Sequence, residues 1–242
     1  MSKELAELRK KINSLGNKKN AETMKWFFKT GEGEYGEGDV FVGLNVPTQR
    51  KLAGEFKHLS LPDLKELLSS PVHEERLISL LILVEKYSKG NKIDKDSIYK
   101  FYLKNRKGIN NWDLVDLSAP KIIGKHLENE DKSILFKLAS SGNLWDRRIA
   151  VLSTQHFNKC GNYLPALQIS ELLLNDKQDL IHKAVGWMLR EIGKKDLKVE
   201  EDFLKQHYLK MPRTMLRYAI EKFPKAKREK YLLGKMQKIK LV

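Results

Sequence analysis

The feature that most constrains the fold is a repeat of helix pairs at a spacing of 34–36 residues. Five positions mark the repeat, each early in the second predicted helix of a pair and followed by an apolar stretch: Arg76, Trp112, Arg148, Lys183 and Arg217. Two helices per unit at this spacing are typical of an α-solenoid, in which each unit buries its apolar face against its neighbours. The sequence therefore predicts an all-α superhelix of helical repeats with a concave, basic groove.

Local patterns also favour helices outside the repeat. Apolar residues at helical spacing run through residues 5–15, and this helix should end at Gly16. A second helix is predicted to carry the aromatic residues of segment 24–28. Ser60, two residues before Pro62, and Ser70, directly before Pro71, are predicted to start helices. The period-two alternation of strands is missing, which again indicates an all-α fold.

We expect a single domain over residues 1–242. It would comprise N-terminal helices and a glycine-rich loop over about 1–45, repeats over about 46–225 and a basic tail over 225–242. A chain of this length can bury a core without disulfides or metal. The loop at 31–39 formally contains GxGxxG, but no predicted strand precedes it and its acids would repel a pyrophosphate. We interpret it as an irregular loop.

Cysteine, histidine and apolar content exclude several classes of protein. The single cysteine, Cys160, excludes a disulfide framework and a cysteine-rich zinc site, and we expect it to be inert core. The six histidines show no metal-ligand spacing, so we expect no metal and no cofactor. The longest apolar run, 77–84, is too short to span a membrane, and the N-terminus lacks the apolar core of a secretory signal. These features predict a soluble, cytoplasmic protein, which we expect to be a monomer.

The charge balance indicates a polyanionic partner. Forty-six lysines and arginines against 31 acidic residues give a net charge of +15. Nucleic acid is the natural partner, because neutralising its phosphates releases counterions. Four of the five repeat markers are basic (Arg76, Arg148, Lys183 and Arg217), and a ridge of cations along one wall would hold a duplex backbone.

Trp112 and Asp116 form the most informative pair of residues. They are four apart, so a helix would place them on one face, one turn from each other. An indole beside a carboxylate suits a site that binds a cation or stabilises developing positive charge. The alternative is that Trp112 belongs to the core and Asp116 is a solvated or cap-paired acid. A carboxylate on a wall that binds a polyanion requires a catalytic reason or a structural partner.

Other aromatic and acidic residues also allow a functional and a structural interpretation. Trp187 lies four residues after Lys183 on one predicted helix face, and Arg190, which we expect to contact DNA as Lys183 does, follows it by three. Asp113 lies on a different helix face from Trp112, so we interpret it as structural. Two further tryptophans are interpreted as packing residues, namely Trp26 and Trp145.

These motifs resemble those of the AlkD-like DNA alkylation repair glycosylases, which are built from HEAT-like helical repeats. The resemblance extends over about residues 20–225, and its tryptophan motifs are its most specific part. The matching segments are WDxVD at 112–116, NLWxxR at 143–148, KAVGWMLRE at 183–191, FFKTG at 27–31, EYGEGD at 34–39 and VPxxR at 46–50.

The resemblance implies hydrolysis of the N-glycosidic bond of cationic alkylpurines, such as 3-methyladenine and 7-methylguanine, in duplex DNA without deep base flipping. It implies that Asp116 is the catalytic carboxylate, that Trp112 and Trp187 pack against the deoxyribose of the lesion, and that Arg148 grips the backbone. Two further positions that the family places near the duplex depart from its pattern. Phe27 replaces a tyrosine, and Asn45 replaces a glutamine.

The residue types suit this chemistry independently of the resemblance. A cationic purine is already a good leaving group, and positive charge passes to the sugar as the bond breaks. A carboxylate about 4 Å away, at an effective dielectric of about 20, contributes about 4 kcal/mol. That corresponds to a rate factor on the order of a thousand. Asp116 could also orient the attacking water, and no metal is required.

Two other functions remain open on the sequence. A non-catalytic helical-repeat protein could bind damaged or branched DNA, with salt-sensitive affinity and no release of bases. A protein–protein scaffold would prefer an acidic protein partner and bind DNA weakly. The joint presence of Trp112, Asp116, Arg148 and Trp187 favours the glycosylase.

Overall fold

A computed structural model describes residues 2–236 of the chain. Over these residues the regular structure is helical, with one isolated parallel bridge between Val40 and Val72. The prediction of an all-α, helical-repeat fold is confirmed. The α-helices of the described residues are α1 (Lys3–Leu15), α2 (Lys18–Phe27), α3 (Val46–Glu55), α4 (Leu61–Leu68), α5 (His73–Lys89), α6 (Lys92–Asn105), α7 (Trp112–Ala119), α8 (Ser133–Ala139), α9 (Leu144–Lys159), α10 (Leu164–Leu172), α11 (Asp179–Gly193), α12 (Leu197–His207), α13 (Arg213–Ala219) and α14 (Lys225–Leu232).

The chain divides into two compact units, Met1–Ile122 and Ile123–Val242, called here the first and the second unit. The first contains α1–α7 and the second α8–α14. The prediction of one repeat domain over 1–242 stays a prediction. Part of the expected basic tail forms α14, and its last residues, 237–242, lie outside the described residues.

The predicted helix pairs are present. All five repeat markers lie in the first turns of the second helix of a pair, on α5, α7, α9, α11 and α13. Ser60 caps α4 as expected, because its side chain accepts from the Asp63 N–H at 3.3 Å. The predicted start at Ser70 is wrong, since α5 begins at His73.

The later start of α5 has a visible cause. The Val40 N–H donates to the Pro71 carbonyl at 3.0 Å, and the His73 N–H donates to the Val40 carbonyl at 2.8 Å. These bonds hold Val72 in an extended conformation, which a helix starting at Ser70 would not allow. The segment before α3 is thereby tied to the start of α5.

The helix α5 is the central element of the first unit. It packs against α3, α4, α6 and α7, and most of its residues are buried. In the second unit α11 takes this place and packs against α9, α10, α12 and α13. A Cβ at Gly186 would lie 2.4 Å from the Met215 carbonyl oxygen, so glycine allows α13 to pack against α11 immediately before Trp187.

A side chain near the start of three second helices bonds to the turn that precedes it. Arg76 donates to the Ser70 carbonyl at 2.8 Å, and Arg147 donates to the Ser141 carbonyl at 2.9 Å. In the same way, a ring nitrogen of His182 lies 2.6 Å from the carbonyl oxygen six residues earlier. Polar residues at this repeat position therefore stabilise the inter-helix turn.

Candidate functional site

The helix α7 carries the central pair of the candidate site. Asn111 caps its first turn by accepting from the Trp112 N–H at 2.8 Å. Trp112 and Asp116 therefore lie one turn apart on this helix, as predicted, and both are half-buried.

The indole of Trp112 belongs to a stack of rings in the first unit. It lies over the Phe28 ring with centroids 5.3 Å apart and an interplanar angle of 17°. Phe28 stacks in turn on Phe41, and Phe41 stacks on the imidazole of His73 at 4.7 Å. The edge of Phe27 meets the indole at 5.8 Å. Trp112 is thus anchored by aromatic packing while part of its surface stays accessible.

A buried network of charges lies next to these rings. The His73 imidazole is held between two carboxylates, with Nδ1 3.0 Å from Asp39 and Nε2 2.9 Å from Asp113. Asp39 also accepts from Arg76 at 2.6 Å and from the Asn111 amide at 3.1 Å. Two cations and two anions balance each other inside the protein, which a stable buried charge cluster requires.

The network fixes the protonation state of its members. Burial by itself lowers the pKa of His73, but the charge of Asp113 and the hydrogen bonds to both carboxylates outweigh it and raise the pKa to about 9. Burial raises the pKa of Asp39, and the His73 hydrogen bond with the Arg76 charge reverses this, so its pKa lies below the usual range. At neutral pH His73 is therefore an imidazolium that donates from both nitrogens.

The same network positions α7. Asp113 accepts the Leu114 N–H at 2.9 Å with one oxygen and contacts His73 of α5 with the other. Asp39 is at the end of the glycine-rich loop and bonds to Asn111, the cap of α7. The prediction that Asp113 is structural is confirmed. These bonds connect the glycine-rich loop, α5 and the first turn of α7, the helix that carries Trp112 and Asp116.

The glycine-rich loop is irregular, as predicted, and its exit is held by a second buried acid. Glu74 accepts backbone N–H groups of Val42, Gly43 and Leu44 at 2.8–3.2 Å. Gly43 has φ of 89°, and a Cβ there would lie 2.1 Å from the Asn17 carbonyl oxygen. Only glycine allows this approach of the loop to α2.

The negative charge of Asp116 acts on a buried phenol. The hydroxyl of Tyr102 bonds to Ser118 at 2.9 Å. Burial raises the pKa of Tyr102 well above its usual range, and the negative charge of Asp116 raises it further. Asp116 thus influences this buried hydroxyl pair electrostatically, from the same helix that carries Trp112.

The end of α2 exposes two aromatic residues. Trp26 is 74% exposed and Phe27 53%, whereas the adjacent Phe28 turns inward to the ring stack. The interpretation of Trp26 as a packing residue is wrong, because α2 covers the core with Ala21 and leaves this face outside. The Lys29 ammonium lies 5.5 Å from the Trp26 ring centroid. This arrangement is a cationic, aromatic surface.

In the second unit Trp187 is half-buried on α11. Its indole N–H donates to Glu191 at 3.1 Å, and Glu191 also accepts from Lys194 at 2.6 Å. The ring orientation is thus fixed by an acid one turn later. Trp145 is buried, so its interpretation as a packing residue is confirmed.

The expected ridge of cations is wrong at two positions. Arg76 is 3% exposed and bonded to Asp39 and Ser70, and Arg148 is 4% exposed and donates to the Leu180 carbonyl at 2.6 Å. Their guanidinium groups serve internal acceptors instead of facing solvent. The early position in a second helix turns them toward neighbouring elements of their own unit.

The other predicted contacts lie nearer to the surface. Lys183 is half-buried in an ion pair with Asp179 at 2.7 Å, and Arg190 forms an ion pair with Glu221. Arg217 is exposed. Asn45 is exposed and caps α3 by accepting from the Thr48 N–H at 2.9 Å.

A comparison with protein families matches residues 8–223 to the model of the DNA alkylation repair enzymes. The chain belongs to this DNA alkylation repair enzyme family. A solved structure described as a predicted DNA alkylation repair enzyme from Enterococcus faecalis is similar in fold, with a TM-score of 0.66 and 17% sequence identity. The match covers 87% of this chain and 97% of that one. No curated protein matches the sequence.

Family membership implies DNA as the partner and a role in alkylation repair. No helix among the described residues is long and apolar enough to cross a membrane. Among the residues that form or border the candidate site, sequence reasoning missed Asp39, His73 and Trp26. The first two left no local signal, because their contacts join positions 34 and 40 residues apart.

Sequence reasoning also misplaced Cys160 in the core. The structure places it exposed at the end of α9, where its sulfur lies 3.5 Å from Glu128 and 3.7 Å from His156. The missed signal was the spacing of His156 and Cys160, four residues apart on one helix face.

Proposed function

We propose that the protein is a monofunctional DNA glycosylase that hydrolyses the N-glycosidic bond of cationic alkylpurines in duplex DNA. The observation that carries the proposal is the Trp112–Asp116 face of α7, a half-buried indole and a carboxylate one turn apart. Membership of the alkylation repair family supports it. The charge network beneath α7 supports a site whose geometry is fixed before the substrate binds.

Asp116 would act on the sugar. As the bond to a cationic purine breaks, positive charge develops on the deoxyribose, and a carboxylate held near it stabilises that charge without reorganising. The face of the Trp112 indole adds a cation–π attraction to the same centre. Asp116 would also orient the water that attacks the sugar carbon and accept its proton, which then passes to solvent, so that hydrolysis is complete with release of the neutral base.

No general acid is needed in this scheme. The alkylated base leaves as a neutral molecule, so the protein has no proton to supply. We propose that the lesion stays largely stacked in the duplex and is recognised by its charge. The product is an abasic site with an intact backbone, since the mechanism includes no amine nucleophile for strand cleavage.

Duplex binding would use surface groups of both units. In the first unit, exposed Trp26 and Phe27, with Lys29 beside Trp26, provide aromatic and cationic contacts. In the second unit Trp187 and Arg217 stay predictions from the sequence as lesion and backbone contacts. Arg76 and Arg148 are withdrawn from this set because their guanidinium groups are buried and bonded to internal acceptors.

The test is incubation of the purified protein with duplex DNA that contains a single 7-methylguanine. We expect free base by chromatography and no strand break until the abasic site is treated with alkali. Salt-sensitive binding without any base release would reject the glycosylase and favour the non-catalytic DNA-binding alternative. Strand cleavage without alkali would contradict the monofunctional mechanism.

A further inference from the structure

Three side chains with metal-binding atoms converge at the end of α9 in the second unit. His156 and Cys160 are one turn apart on this helix, and Glu128 comes from the turn before α8. Glu128 Oε2 lies 3.1 Å from His156 Nε2, Glu128 Oε1 lies 3.5 Å from Cys160 Sγ, and the nitrogen and sulfur are 3.7 Å apart. None of the three takes part in the proposed glycosylase chemistry.

These separations match the edges of a zinc coordination tetrahedron. Zinc binds nitrogen and oxygen at about 2.0–2.2 Å and sulfur at about 2.3 Å. In tetrahedral geometry such bonds place ligand atoms about 3.3–3.6 Å apart. The three observed separations, 3.1, 3.5 and 3.7 Å, bracket this range. The two contacts of Glu128 use different carboxylate oxygens, so a small rotation of this exposed side chain would let one oxygen, the imidazole nitrogen and the sulfur contact a single ion.

The donor set and its surroundings favour a borderline-soft cation. A thiolate, an imidazole and a carboxylate suit zinc, whereas magnesium and calcium prefer oxygen ligands alone. Cys160 is the C-cap of α9, and the negative end of the helix dipole favours a cation there. The positive charges of Lys125 and Lys195 act on Cys160 and oppose the binding of a cation there. The Lys195 ammonium, however, is bonded to the Lys159 carbonyl.

We propose that Glu128, His156 and Cys160 bind one zinc ion, with a fourth position open to water or an external ligand. On binding, the Cys160 thiol releases its proton to solvent and the thiolate coordinates the metal. The ion would join the turn at Glu128 to the end of α9. It would thereby stabilise the second unit by ligand linkage.

The test uses Co²⁺ as a spectroscopic substitute for zinc on the full chain without a histidine tag, kept reduced by a phosphine. We expect a thiolate-to-cobalt charge-transfer band in the near ultraviolet and tetrahedral visible bands that saturate at one equivalent. Added Zn²⁺ should abolish both. Saturation without the thiolate band would overturn the proposal, because it would show binding elsewhere.

Single substitutions make the assignment specific. Cys160→Ser should remove the charge-transfer band, and His156→Ala and Glu128→Gln should each weaken Co²⁺ binding at least tenfold. The matched control is Glu130→Gln, an exposed acid two residues from Glu128, which should bind as the wild type does. Circular dichroism confirms that each variant is folded. An unchanged titration of the Glu128 or the His156 variant would contradict the proposed ligand set.

Discussion

The Nε2 atom of His73 lies 2.9 Å from a carboxylate oxygen of Asp113, and this contact joins α5 to the first turn of α7. The other nitrogen of the same ring contacts Asp39 at the end of the glycine-rich loop. One imidazolium thus connects three segments directly below the Trp112–Asp116 face. The central claim is that Asp116, carried beside Trp112 on the helix that this buried ion network positions, is the catalytic carboxylate.

Replacing His73 with glutamine should destabilise the protein strongly. The side chain keeps its polarity, but the network loses one of two cations and leaves two buried carboxylates with Arg76 alone. Breaking a buried ion network in this way costs on the order of 3–5 kcal/mol. Urea unfolding measures the loss. His58→Gln is the control, since His58 is exposed, and an equal effect of both substitutions would contradict a special role for His73.

The charge state of His73 predicts how stability depends on pH. Its pKa is about 9 in the folded protein against 6.5 for the unperturbed group, so the folded state retains a proton that the unfolded state releases. The contribution of His73 to the free energy of unfolding is fully present below pH 6.5 and is lost as the pH rises through 9. Between these pH values, this contribution decreases by at most about 1.4 kcal/mol per pH unit.

Unfolding of wild type and His73→Gln at several pH values isolates this effect. The difference between their free energies of unfolding should shrink as the pH rises from 6.5 to 9. A difference that is constant over this range would show that His73 does not carry the proton.

Glu200 offers a stabilising substitution. It is 1% exposed, and burial followed by the charge of Glu201 raises its pKa to about 8, so ionisation is costly in the folded state. Because the unperturbed value is 4.5, this residue lowers stability progressively as the pH rises from 4.5 to 8. The isosteric Glu200→Gln should raise the free energy of unfolding at pH 8 by on the order of 1–3 kcal/mol.

Thermal unfolding of this variant at pH 5 and pH 8 checks the prediction. The gain should be present at pH 8 and small at pH 5. A gain of equal size at both pH values would indicate a change in packing rather than removal of a buried charge.

Trp26→Ala should weaken duplex binding without unfolding the protein. The ring is exposed next to Lys29, and an aromatic contact with a nucleotide is worth about 1–3 kcal/mol, which corresponds to roughly a fivefold to hundredfold loss of affinity. Ile93→Ala is the control, as Ile93 is an exposed apolar residue on α6. Fluorescence anisotropy with a labelled duplex measures the dissociation constants of the two variants. Equal affinities of the two variants would remove Trp26 from the interface.

The sequence predicted those features that depend on local periodicity. Helix pairs, the cap at Ser60 and the shared helix of Trp112 and Asp116 follow from apolar spacing and turn residues within a few positions. Burial of individual residues does not follow from such patterns. Trp26 and Trp145 are the same residue type, yet one is exposed and the other buried, because neighbouring helices decide which face is covered.

Charged residues were misplaced for the same reason. Arg76 has a basic side chain at a repeat position, and only the folded chain supplies Asp39, 37 positions away, as its acceptor. Cys160 was assigned to the core because cysteines are usually buried. The end of α9 instead brings it to the surface with His156. The burial and the partners of these side chains depend on contacts between segments that are distant in the sequence, so no local pattern predicts them.

The most direct test of the central claim is single-turnover release of 7-methylguanine from duplex DNA by wild type and Asp116→Asn. The account predicts that the variant is slower by on the order of a thousandfold, the equivalent of about 4 kcal/mol, while its affinity for the duplex is retained. Asp96→Asn, a half-buried acid on α6, is the control and should release base at the wild-type rate. Release by Asp116→Asn within twofold of wild type would contradict the account.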